Sequence, residues 1–158
     1  MCMNPNRLSK LISIVLIMFG GCSTSHDGGS SIEALEKMVQ SSFEAKDGRG
    51  LLDLYNFSGT PDDVRSAIEG QILSNWGKGN WIVTHVDIFG FSDYVPTTDV
   101  PGEFKGRQLA WLSQPNCWIV LNAKMPDGGT VKNASATFEM AAFSKHNRWF
   151  LVGVKYAD

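Results

Sequence analysis

Two side-chain pairs and two thiols are the groups of this chain best suited to chemistry. His85 and Asp87 lie two apart in a segment of alternating apolar residues. A strand there puts both on one face with Trp81, Val83 and Phe89. An imidazole beside a carboxylate in an aromatic-lined pocket is an acid–base pair, because burial and proximity tune both groups. The opposite face (Ile82, Val86, Ile88) is equally apolar, so the pattern leaves open which face is inside and whether the pair is only a surface contact. Asp53 and Tyr55 offer an acid and a phenol to a polar ligand, with a helix cap and a packed aromatic as the plainer alternative. Cys117 precedes Trp118 and shares a strand face with Ile119, Leu121 and Ala123, the setting of a buried, inert thiol. No combination of these groups makes a metal-binding spacing, a nucleophile elbow or a phosphate-cradling glycine loop, so no metal or cofactor is expected.

Cys22 is different, because of what precedes it. Residues 1–10 are short and cationic through Arg7 and Lys10, and residues 11–19 are a nearly unbroken apolar run. Gly20 and Gly21 then lead to the cysteine. A cationic start, a short apolar centre and small residues at the cut are the layout of an export signal. Nine helical residues span about 14 Å, well short of a ~30 Å hydrocarbon core, so this run is too short for a stable transmembrane helix. Phe19-Gly20-Gly21-Cys22 resembles the lipobox of bacterial lipoproteins, with Phe19 where that motif usually has Leu. The resemblance implies cleavage after Gly21 and lipidation of Cys22; the other reading is an ordinary secretory cut with a coincidental cysteine. Several acyl chains would hold the protein stably on a membrane, which is then its first partner. Ser23, rather than Asp, after the cysteine implies by the same resemblance an outer-membrane position facing the periplasm in a Gram-negative host. Residues 22–30 (Cys22, then STSHDGGS) read as the lipidated cysteine and a flexible tether.

Removing residues 1–21 leaves roughly 130 to 137 residues, enough for one domain over 31–158 with a single core. It also leaves 12 basic residues against 16 acidic ones, scattered without a basic stripe. Such a chain is not built to neutralise phosphates, and nucleic acid is excluded as an expected partner. With Cys2 removed and Cys22 acylated, Cys117 would stand alone, and stability would come from packing rather than disulfides.

The elements that must position these groups fall in two halves. Ser30-Ser31-Ile32-Glu33 has capping-box spacing and opens a helix with Leu35, Met38, Val39 and Phe43 on one stripe, closed at Lys46-Asp47-Gly48. Residues 51–55 read as a short helical turn. Thr60 caps a further helix with Pro61 in its first turn and Val64, Ala67, Ile68 and Ile72 as its inner face. Alternation from Trp81 predicts strands over 81–91, 108–112, 118–125, 131–143 and 149–156. Hairpin turns are expected at 126–129 and 144–148, and an irregular pocket-bordering connection at 92–106. In the fourth strand Ala136, Phe138, Met140 and Ala142 share one face while Ser135, Thr137 and Glu139 share the other, predicting one packed and one wetted face. Trp111 and Trp118 are either core residues or an exposed binding patch. The fold class is α+β: N-terminal helices on a curved antiparallel sheet of four to five strands.

That order, with the helix closing at Asp47-Gly48, then Leu51, Leu54 and Tyr55, and a final hairpin Phe138–Phe143, His146-Asn147-Arg148-Trp149 and Leu151–Val154, resembles the nuclear-transport-factor-2-like, or cystatin-like, superfamily. The resemblance implies a cone-like fold with a pocket, used by some members for catalysis and by others for binding. The resulting expectation is a lipid-anchored, non-enzymatic module that binds a small molecule or an envelope protein. Its rival is a pocket enzyme of the same fold using His85 and Asp87. An assembly-factor role would require an exposed apolar patch on the sheet.

Overall fold

The computed structural model describes residues 28–98, 100–126 and 134–158. The signal, Cys22 and the turn expected at 126–129 lie wholly or mostly outside them. The first helix, α1 (Ile32–Glu44), buries Leu35, Val39 and Phe43 on the expected stripe. Its cap is Ser31 rather than Ser30: Ser31 is extended, and its hydroxyl accepts the Ala34 N–H at 3.1 Å. Gly28 and Gly29 are buried, so the tether ends before them. Gly29 bridges to Trp149, whose N–H reaches the Gly29 carbonyl at 2.8 Å. A Cβ on Gly28 would come within 2.6 Å of the Phe150 ring, so this glycine serves close approach and not flexibility.

Asp47 accepts the Gly50 N–H at 2.9 Å and starts α2 (Gly48–Asp53). Tyr55 then leaves the helical path, because Tyr55 and Asn56 form β1 (Tyr55–Asn56), parallel to the later strand β7 (Arg148–Val152). The helix α3 (Asp62–Asn75) follows Pro61, which occupies the cap position without a side-chain bond. Thr60 is not its cap; its buried hydroxyl has no hydrogen-bond partner among the described residues.

The main sheet runs β1–β7–β6–β5–β2, with β2 (Ile82–Gly90), β5 (Cys117–Lys124) and β6 (Ser135–Lys145) antiparallel to their neighbours. The fold is α+β, with β1 as one parallel addition. A smaller antiparallel sheet holds β3 (Glu103–Phe104), β4 (Arg107–Trp111) and β8 (Val154–Tyr156). Thus the connection expected to be irregular contains a hairpin, turned by Lys105 and Gly106 with φ of 51° and 75°. His146 and Asn147 turn the β6–β7 hairpin in the same left-handed region.

Both faces of the main sheet are packed, which corrects the expectation of one wetted face. One face carries Ile119, Leu121, Met140 and Ala142 against α1 and α2. The other carries Trp118, Val120, Ala141, Phe143 and Val152 under Phe89, Phe91, Tyr94 and Trp111. Trp118 is 2% exposed and meets Trp111 edge-on at 5.9 Å, so the two form core and not a binding patch.

The last strand was expected to run unbroken over 149–156. It divides at Gly153, where the chain leaves β7 and crosses to the small sheet as β8. A Cβ at Gly153 would lie 2.7 Å from the Asn56 carbonyl oxygen and 2.9 Å from the Thr60 hydroxyl. Gly153→Ala should therefore lower stability by about 1–3 kcal/mol, the usual cost of overpacking. Urea unfolding checks this, and a loss below about 0.5 kcal/mol, the scatter of neutral surface changes, would show that the crossing is not sterically fixed.

Candidate functional site

The departure at Gly153 opens the site. β7 pairs with β6 only from Ala142 to Lys145, so residues 135–141 of β6 have β5 on one side and no strand on the other among the described residues. The helix α3 crosses this open edge and is held at its two ends. At its start Val64 is buried, and Asp63 accepts the Tyr156 hydroxyl at 2.8 Å and the Lys105 ammonium at 3.2 Å. These two bonds hold the Asp63 carboxyl below its ordinary range. Past its end, buried Trp76 donates its indole N–H to the Ser42 hydroxyl at 3.0 Å. Between those ends no α3 side chain is buried; Ile68 and Ile72 are half-covered, and Ala67 is exposed.

The space beneath is two adjoining cavities of about 320 and 390 Å³, within the range of small-molecule sites. Tyr55, Ile68, Gln71, Glu139 and Met140 line both. The first continues to Trp76 and Phe138, the second to Phe104, Trp111 and Val152. Residues from both faces of β6 meet there because its open edge, rather than either face, forms the wall.

Two polar groups dominate this cleft. Glu139 accepts the Tyr94 hydroxyl at 2.5 Å, the Thr97 N–H at 2.8 Å and the Thr97 and Thr98 hydroxyls at 3.1 and 3.4 Å. Burial raises its pKa, but the bonds from Tyr94 and Thr97 outweigh that and leave it below the ordinary carboxylate value. The carboxylate is thus ionised at neutral pH and saturated with donors, a fixed charge rather than a proton-transfer base. The same bond, with burial, pushes the Tyr94 phenol up to about 12. Burial pushes Tyr55 to about 12 as well, so its hydroxyl stays protonated. It makes no hydrogen bond among the described residues and is available as a donor.

The sequence-derived candidates separate. His85 and Asp87 do come together, with Nε2 and Oδ2 3.3 Å apart, but their side chains are 58% and 44% exposed and border neither cavity. A bulge causes this: pairing slips between Val83 and His85, so Val83 packs inward with Val86 while His85 turns to water. Asp53 lines a separate surface pocket of about 440 Å³ with Arg49 and Arg65, which Tyr55 does not border. Cys117 is buried and its thiol is pushed up to about 11 by desolvation, consistent with an inert side chain. Among the described residues no group of His, Cys, Asp and Glu is placed to hold a metal ion. Glu139, Tyr94 and Thr97 were missed; the available signal was a lone carboxylate between Phe138 and Met140.

No protein-family model, curated protein or solved structure matches this chain. What the cleft does must therefore be argued from its own groups.

Since Glu139 is depressed in the folded state, its stabilisation is complete above the ordinary glutamate value and is lost as pH falls through the lowered one. Stability should thus fall as pH drops below the ordinary glutamate value, and Glu139→Gln should flatten that slope. Chemical unfolding at several pH values checks it; equal slopes in the two proteins would mean that the Tyr94–Thr97 clasp contributes nothing.

Proposed function

We propose that this protein is a lipid-anchored envelope protein whose cleft beneath α3 binds a small, largely apolar molecule. The supporting observation is the mainly apolar cleft between α3 and the open edge of β6. Here Val64 and Trp76 hold the ends of α3 in place while Ile68, Ile72 and Met140 face the gap, so a ligand would supply the missing contacts. The protonated Tyr55 hydroxyl gives that ligand one oriented hydrogen bond. Binding is favoured over acid–base catalysis because His85 and Asp87 face water and Glu139 is saturated.

The anchor reading rests on Phe19-Gly20-Gly21-Cys22 and the short apolar run before it. With Gly28 and Gly29 seated on β7, only residues 22–27 separate the lipid from the fold. They span at most about 20 Å, so the cleft would work close to a bilayer. Helices preceding a sheet, with one helix standing off it, support the proposed kinship with the cone-shaped nuclear-transport-factor-2-like superfamily.

Two experiments test this. Metabolic labelling with an alkyne-bearing palmitate should tag the wild-type protein and not Cys22→Ala; equal labelling, or none in either, would remove the anchor. Nile red, a neutral apolar dye, should bind the protein in nanodiscs above the empty-nanodisc background, and Ile72→Trp should weaken that binding about tenfold by filling the cleft. Unchanged binding in Ile72→Trp would place the dye elsewhere and count against the cleft.

A further inference from the structure

The charges lining the cleft are of one sign. Glu139 borders both cavities and Glu103 borders the second, while among the described residues no Lys, Arg or His lines either. Two cations flank the second cavity's lining residues: Lys105 pairs with Asp63 and lies 5.1 Å from the centre of the Phe104 ring, and the Arg107 guanidinium lies 3.6 Å from the centre of the Tyr156 ring. An anionic ligand would enter the cleft against the fixed negative charge of Glu139, which repels it. A protonated amine would meet the reverse. It would find two carboxylates and the aromatic rings of Tyr55 and Trp111, which attract cations through their quadrupoles. The apolar remainder would rest on Ile68, Ile72 and Met140.

On the strength of the binding reading above, we infer that the ligand is an apolar cation, an amine-bearing hydrophobic compound, and that the site rejects carboxylates of the same shape. The pairing of charge and aromatic surface, rather than volume, sets this choice. Tyr55, with no bond of its own, adds a hydroxyl oxygen able to accept an ammonium N–H.

Three compounds of one shape and different charge test it: cyclohexylmethylammonium, cyclohexylmethanol and cyclohexanecarboxylate. Each is titrated into the full protein in nanodiscs at neutral pH, against empty nanodiscs. Tryptophan emission reports occupancy, because Trp76 borders one cavity and Trp111 the other. The ammonium should bind about tenfold more tightly than the alcohol, as one charge-assisted bond provides, and the carboxylate should bind most weakly. Glu103→Gln should cut the ammonium's advantage over the alcohol severalfold; Glu139→Gln should cut it further. Carboxylate binding equal to ammonium binding, or an ammonium preference that survives both substitutions, would overturn the inference. If the alcohol saturates the protein and the ammonium does not, the inference fails while the binding reading stands. If none of the three alters the emission, both fall.

Discussion

At Gly153 the backbone passes so close to the Asn56 carbonyl, the Thr60 hydroxyl and Leu112 that no side chain fits, and its own carbonyl accepts the Leu112 N–H at 3.0 Å. That crowding takes the chain off β6 and into the small sheet. Had β7 continued, it would have paired along the whole of β6 and closed the edge. The edge instead stays open over 135–141, and α3 spans it because its ends are fixed by Asp63 with Tyr156 and by Trp76 with Ser42. The cleft is the consequence of these constraints, and neither the helix nor the sheet can shrink it alone.

Charge is arranged with the same economy. The Glu139 carboxylate joins the loop carrying Tyr94, Thr97 and Thr98 to the open strand, so one side chain both closes one side of the cleft and sets its sign. Its donors hold its pKa down where burial alone would raise it. A group so occupied is poorly suited to move protons and well suited to select among ligands by charge. The second aromatic layer, with Phe91 stacked on Trp118 at 5.5 Å, supports the loop from below.

Periodicity carried much of this fold. The stripe of Leu35, Val39 and Phe43, the alternation in β5 and β6, and the left-handed turn at Asn147 are local signals, and the structure follows them. The cap at Ser31 instead of Ser30 is a shift of one residue decided by the docking of Gly29 on Trp149. The site was less legible. Strict alternation through Thr84 puts His85 and Asp87 on the face of Val83, and the bulge that breaks it has no clear local signature. Trp118 looked surface-capable until the loop of Phe91 and Tyr94 was seen to cover it. Glu139 sits on a face that alternation assigned to solvent, and its partners come from more than forty residues away in the chain. Long-range closure of that kind leaves no trace in spacing.

The central claim is that a gap lies between α3 and the open edge of β6 and can be occupied. Isotope-filtered nuclear Overhauser spectroscopy of the methyl-labelled protein with cyclohexylmethanol tests it most directly. The account predicts contacts from the ligand ring to the methyls of Ile68, Ile72 and Met140, and none to Ile82 or Ile88 on β2. Direct contacts between the Ile72 and Met140 methyls in the free protein, with no ligand signal at either, would mean that α3 rests on the sheet and that the cleft does not exist.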